Sequence, residues 1–382
     1  MTDWPMRDRA PNRHAFVEEE LNLPLRLLWK SDVGSSVFSQ AICTGRKVII
    51  TSMRDWRCLD LDSGTELWRF APREPRSKRS GPVLRGTPYA NHHMAFMTDD
   101  IGRLFCLGTV GGELRWSQSD QGSQNESVCL WQDQLFLKFA RPIHGENKSS
   151  ASSWTNGYSA VNTEGDQLWA FESDDIVFTE QAAVSGGILV FGDASGTVYG
   201  VGATNGELIW KTQISQLGPF KSLRNFAGAF GPVSIIANTA ILGVGNKQYY
   251  GAFDVQTGKV RWVHHADALA MNMACDREKV YYVTHTGHLR GVSLDSGKTV
   301  LDQDISRHRL GTTFSMSALV VGGHLVAGFG DTPRLAVLNT RSGELEWVYE
   351  VGGILNASPI FVDRKIVIGC DDGYVYCFEE VK

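Results

Sequence analysis

Short runs of alternating apolar and polar residues recur along the whole chain, among them RKVIITS, HMAFMTD, ILVFGD, KVYYVTH, HLVAGFG and RKIVIGCD. Period-two alternation over such lengths is the pattern of a β-strand with one face buried. The runs lead into a recurring phrase: DLDSGTELW ending at Trp68, GTVGGELRW at Trp116, VNTEGDQLW at Trp169 and GATNGELIW at Trp210. DVQTGKVRW follows at Trp262, SLDSGKTVL at Leu301 and NTRSGELEW at Trp347. In all seven, a glycine lies four residues before the terminal position: Gly64, Gly112, Gly165, Gly206, Gly258, Gly297 and Gly343. Five residues ahead of that glycine stands an apolar residue: Leu59, Leu107, Ala160, Val201, Phe253, Val292 or Leu338. A strand thus runs into a polar-glycine turn, and a second strand ends on a large aromatic. Glycine supplies the positive φ of a tight hairpin, and the Asp, Asn, Ser or Thr before it stabilises the turn.

Two further β-rich segments precede each phrase, so each repeat predicts a four-stranded antiparallel meander. The terminal positions, counted from Trp29, are 39, 48, 53, 41, 52, 39 and 46 residues apart. Such spacing is that of propeller blades. The C-terminal DDGYVYCFEEVK lacks a final Trp strand, and the N-terminal LRLLWKSDVG, with Trp29, is a final strand without a blade. The expected fold is therefore all-β: an eight-bladed β-propeller of four-stranded antiparallel blades. Its ring is closed by the N-terminal strand pairing with the C-terminal strands, which removes exposed sheet edges. Deleting the residues before about Ser31 is expected to destabilise the whole molecule. Residues 1–20, with Glu18, Glu19 and Glu20 and no strand pattern, read as an N-terminal tail or arm, and residues 21–382 as a single propeller domain.

Composition refines this picture. Glycine, at 40 of 382 residues, exceeds the usual share of about 7%, as many tight turns require. A formal net charge of −5 argues against a nucleic-acid partner, which selects basic domains. No window approaches the apolar length of a membrane span. No apolar leader stands at the N-terminus, and the seven cysteines are scattered inside apolar runs without any adjacent or CxxC pair. That usage points to reduced thiols and a cytoplasmic protein, with no membrane partner. Nothing in the sequence forces an oligomer, and a monomer is expected.

The repeat resembles the tryptophan-docking motif of the PQQ-like propeller family, roughly Ala-x-Asp-x-x-Thr-Gly-Lys-x-x-Trp. The nearest copy here runs from Phe253 through Asp254, Thr257, Gly258 and Lys259 to Trp262. The family includes quinoprotein dehydrogenases and the propeller lipoprotein of outer-membrane assembly, so the resemblance implies fold and leaves function open. It implies that Trp29, Trp68, Trp116, Trp169, Trp210, Trp262 and Trp347 pack between neighbouring blades. At Leu301 the motif is broken, and a weaker junction is expected there.

For catalysis the chain offers little. Quinoprotein members of the family carry a disulfide between adjacent cysteines over the cofactor, hold calcium with Glu, Asn and Asp, and use an Asp base; no adjacent cysteines occur here. No HExxH, GxSxG, phosphate-binding loop or dinucleotide fingerprint is present. No cofactor, metal ligand or catalytic residue is therefore expected. The acidic turns at Asp99–Gly102, Asp193–Gly196 and Asp371–Gly373 lack calcium-loop spacing and fall where hairpin turns are due. His264, His265, His285, His288 and His308 cluster in late blades but have no fixed ligand spacing, and read as solvated or partly buried.

The longest insertions, 71–85, 140–156 and 213–226, all fall on connections that share one face of a propeller, conventionally the top. They bring Arg73, Arg76, Lys78, Arg79 and Arg85, then Arg141 with Lys148, then Lys221 and Arg224, with Arg307 and Arg309 from a later connection. Trp154, Phe220 and Phe226 add apolar anchors. Such a basic rim suits carboxylates, phosphates or an acidic peptide. Glu180, with Asn272 and Asn356, is placed at the central channel. The expected function is a non-catalytic scaffold binding a protein or peptide partner, acidic in character, through this face. The alternatives are an accessory or catalytic protein of a biosynthetic pathway with a small ligand in the central funnel, and a PQQ-dependent dehydrogenase.

Overall fold

A computed structural model describes residues 3–73, 84, 86–119, 128–142, 154–177, 179, 181–214, 228–244, 248–267, 272–311, 314 and 318–381. Among these residues the strands form eight sheets, each built on an antiparallel meander of four strands drawn in chain order except in the last, and one of them extended by a fifth, parallel strand. Blade 1 begins at Ile42 and blade 7 ends at Glu350. Blade 8 takes its first three strands from Ile360–Val362, Lys365–Gly369 and Tyr374–Glu380, and its fourth from Leu25–Asp32. The register runs from Leu25 opposite Glu380 to Asp32 opposite Tyr374. The chain's two ends thus close the ring, and the fold is an eight-bladed propeller.

First strands of neighbouring blades meet around the axis, while the fourth strands lie outermost. Consecutive hairpins alternate between the two faces of such a meander. The turns between strands one and two and between three and four share one face, called here the hairpin face. The turns between strands two and three, and the connections between blades, share the other, called the loop face.

The repeated tryptophans hold adjacent blades together by a specific bond. The indole N–H of Trp29 donates to the Leu61 carbonyl at 2.9 Å, Trp68 to Thr109 at 3.0 Å, and Trp169 to Ala203 at 3.1 Å. Trp210 donates to Val255 at 2.8 Å and Trp262 to Leu294 at 2.6 Å. Each acceptor lies three residues before the turn glycine of the next blade. At the seam made by the chain ends, Trp347 donates to Leu25 at 3.0 Å. The glycine completes the dock. Gly64 has φ +69°, and a Cβ there would lie 2.6 Å from the ring of Trp29. The turn therefore needs glycine twice over, for its left-handed backbone and for the close approach of the indole. Two junctions depart from the pattern: Gly165 packs on Gln118 and Gly343 on Gln303.

Residues 3–17 run inside the ring. Trp4 exchanges both backbone hydrogen bonds with Cys43 of blade 1, at 2.8 Å each. The Pro5 carbonyl accepts from Ala90 of blade 2, Pro11 from Val184 of blade 4, and Asn12 from Ile235 of blade 5, all at 2.8 Å. His14 Nε2 lies 3.2 Å from the Cys275 carbonyl of blade 6. Phe16 and Val17 pair in parallel with Val320 and Val321 of blade 7. The segment thereby satisfies the free edges of first strands in six blades, which would otherwise leave unpaired backbone groups at the axis. It enters and leaves on the hairpin face, where Asp3 accepts from Gly45 at 3.1 Å and Gly322 donates to Val17 at 2.7 Å.

Candidate functional site

The central channel is the natural ligand cavity of a ring fold, and here its interior is filled by the chain itself. Trp4 and Arg13 are fully buried among the first strands, with Met6, Arg7 and Asp8 beside them. Arg13 donates to the Ala182 carbonyl at 3.3 Å and to the Arg7 carbonyl at 3.0 Å. Burial pushes the Asp8 carboxyl above the usual carboxylate range, against the opposing pull of Arg7 and then Arg13. Burial likewise pushes the Cys129 thiol of blade 3 up, with Arg13 opposing.

Above this stopper a polar collar surrounds the axis. Gln40, Thr87, Gln181, Asn272 and Ser358 each stand two residues before the first strand of their blades. Gln40 Oε1 accepts from the Asp8 N–H at 2.6 Å while its amide donates to Pro359 of blade 8 at 3.0 Å. Asn272 donates to the Phe314 carbonyl at 2.8 Å and its own carbonyl accepts from Tyr250 at 3.1 Å. The collar therefore ties neighbouring blades and stopper together. Sequence reasoning picked out Asn272 alone of these five. The signal was available as a polar residue at one fixed register in an otherwise apolar approach. Asn356 donates its backbone N–H to Ile354 at 3.2 Å, and Glu180 lies outside the described residues.

The loop-face residues fall into separate groups. Arg141 and Trp154 flank one insertion, since Arg141 opposes Thr155 and Pro142 opposes Trp154 in the ladder. The Arg141 guanidinium lies 4.6 Å over the Phe139 ring and donates to Gln167 at 3.1 Å. Arg73 is exposed, and its carbonyl accepts from Arg103 at 3.0 Å. Arg309, also exposed, offers its carbonyl to Arg334 at 2.9 Å. Arg307 instead reaches over to Glu344 in the Gly343 hairpin of blade 7, at 2.7 Å. Arg76, Lys78, Arg79, Arg85, Lys148, Phe220, Lys221, Arg224 and Phe226 lie outside the described residues.

The acidic turns are closed on themselves. Asp99 accepts from the backbone N–H groups of Ile101 and Arg103 and from the Arg103 guanidinium. Asp193 accepts from Thr197 N–H and from the hydroxyls of Ser195 and Tyr199. Asp372 accepts from Tyr374 N–H and the Tyr376 hydroxyl. His264 bridges Gly297 and the Tyr282 hydroxyl at 2.9 Å each, beside the dock of Trp262. Among the described residues no group of three His, Cys, Asp or Glu side chains could hold a metal ion.

The family model described as outer membrane protein assembly factor BamB matches residues 52–303. The chain belongs to this family. It is similar to the BamB of Yersinia pestis, 21% identical over 93% of this chain and 84% of that protein. The crystal structure of BamB from Moraxella catarrhalis superposes with a TM-score of 0.69 at 14% identity, covering 93% of this chain and all of that one. The quinohemoprotein alcohol dehydrogenase of Comamonas testosteroni superposes at 0.75 and 12% identity, over all of this chain and 81% of that one. At such identities the solved structures share the fold alone.

These relatives correct one expectation. The cytoplasmic location read from the sequence is overturned, because the curated relatives from Yersinia pestis, Moranella endobia and Escherichia coli are outer-membrane protein assembly factors. The cysteines misled because they are buried in the blades. Burial pushes the Cys58 thiol up to about 12, so such a thiol is inert whatever the compartment.

The quinone cofactor of the dehydrogenase neighbours does not fit the residues present. No two cysteines are adjacent, all seven are buried and unbridged, and Trp4 and Arg13 fill the axis.

Proposed function

We propose that the chain is a non-catalytic scaffold of outer-membrane protein assembly that holds a protein partner on its loop face. The observation that carries this reading is the stoppered channel. With residues 3–17 bonded to the first strands of six blades, binding falls to the surface, where loops on a rigid ring are the usual recognition elements. Arg141, whose guanidinium lies over the Phe139 ring, and the partly buried Trp154 on the facing strand supply two residue types enriched at protein interfaces. Arg73 and Arg309 extend the basic character toward an acidic segment of the partner. The reading with a small ligand in the central funnel loses support from the same stopper.

The test is native mass spectrometry of the protein purified gently from its own host. A co-purifying polypeptide that is lost on Arg73→Glu, Arg141→Glu and Arg309→Glu together supports the scaffold. A bare monomer carrying a small adduct sinks it.

A further inference from the structure

Leu301 breaks the tryptophan repeat at the junction of blades 6 and 7. At five junctions an indole donates to the carbonyl three residues before the next turn glycine. Here that carbonyl belongs to Thr340, three residues before Gly343; the residue in the indole's place is smaller and has no donor, and Gly343 packs on the Gln303 side chain. An open groove of about 480 Å³ lies at this junction on the hairpin face, with Val300, Leu301 and Thr340 along it and Arg277, Lys279 and Arg341 at its edges. Val300 is 58% exposed, an apolar surface without cover among the described residues. Arg341 is exposed, and its side chain enters no ion pair among the described residues. The Arg277 guanidinium already holds a carboxylate, that of Glu18 from the axial segment.

We propose that this groove is a docking site for a tryptophan of a partner protein, carried on a segment with a neighbouring carboxylate. The indole lies over Val300 and Leu301 and donates to the Thr340 carbonyl, as five of the chain's own tryptophans donate to the matching carbonyl. The carboxylate meets Arg341, as Glu18 meets Arg277. Tyr281 packs with Leu301 in the same core cluster, and its hydroxyl donates to Asp276 at 2.6 Å. Phe136 holds the equivalent register position in blade 3, and its ring lies 5.9 Å from the docked Trp169. Glu278 and Asp295 also line the groove, so it lacks the uniformly positive field that a nucleic acid or an anionic membrane selects. The site lies on the face opposite the proposed loop-face interface and stands independently of it.

Fluorescence anisotropy with the full-length protein tests the proposal, using a fluorescein-labelled peptide with one Trp flanked by Asp. Saturable binding is expected, weakened about tenfold or more when the peptide Trp is replaced by Ala. Leu301→Trp fills the dock from within, so it raises the melting temperature and weakens the peptide by a similar factor. Arg341→Glu weakens it several-fold, while Arg73→Glu leaves it unchanged and so separates this site from the loop face. Absence of saturable binding, or equal affinity for Leu301→Trp, overturns the proposal. Should that variant fail to fold, Val300→Glu at the exposed position must give the same loss.

Discussion

The guanidinium of Arg13 donates to the carbonyl of Ala182, 169 positions along the chain, at 3.3 Å. Arg13 is 1% exposed, so this bond and the one to Arg7 replace water that the side chain has given up. A buried charge without partners is costly, and partners left behind by its removal are costly too. Arg13→Ala is therefore expected to lower unfolding free energy by about 2–4 kcal/mol. Amide exchange should quicken in the first strands of blades 4 and 5. Arg26→Ala removes an exposed pair with Glu379 and should cost under about 0.5 kcal/mol. Equal losses in chemical denaturation would show that the axial segment is not a keystone.

The tryptophan docks make a second set of expectations. Gly258 has φ +68°, and a Cβ on it would strike the ring of Trp210. Gly258→Ala should cost about 2–4 kcal/mol. Gly323→Ala, at a site with nothing within 4 Å of the new Cβ, should be close to neutral. Trp210→Phe forfeits the bond to Val255 and strands a buried carbonyl, costing about 1 kcal/mol more than Trp116→Phe. Trp116 makes no such donation among the described residues. Thermal melts of the four variants decide the order.

Ring closure is tested at Trp29, which sits on the outer strand that the N-terminal region lends to blade 8. Its indole is buried against Gly64 of blade 1. Trp29→Ala removes one contact and loosens the one blade whose strands are not contiguous. A loss of about 3–5 kcal/mol is expected, with one cooperative transition retained because the ring opens as a unit. A separate early transition confined to blade 8 would contradict this.

The blades were legible because their signals are local. The Asp254-to-Trp262 phrase carries its turn, its glycine and its aromatic within one hairpin, and so do its copies. That the glycine also makes room for an indole was not legible, since Trp210 comes from the preceding blade. The path of residues 3–17 was hidden for the same reason. Its partners at Cys43, Val184, Ile235 and Val320 are scattered over most of the chain, and a segment that pairs with six different strands has no periodicity of its own. The basic rim was a reading of loop composition. Of its members, Arg141 and Trp154 lie on the facing strand ends that flank one insertion in a paired ladder, which composition cannot convey.

Two histidines give the fold a pH dependence of definite sign. His14, against the Cys275 carbonyl, and His264, between Gly297 and Tyr282, both have pKa values lowered from 6.5, chiefly by burial. In the unfolded chain each takes a proton at about its ordinary value. The unfolded state therefore binds more protons than the native state in the window below about pH 6.5, and stability falls there as pH falls. Above that window both states hold neutral imidazoles and these residues contribute no slope. Asp8, whose carboxyl is raised by burial, acts in the opposite sense, favouring the folded ring as pH falls through its raised value. Melting temperatures from about pH 8 to about pH 5 should be flat at first and then decline. The comparison that isolates the cause is His14→Gln with His264→Gln, which should decline less steeply than the parent over the lower half of the range. Parallel curves for parent and variant would mean that both imidazoles accept protons in the folded ring, contrary to their burial.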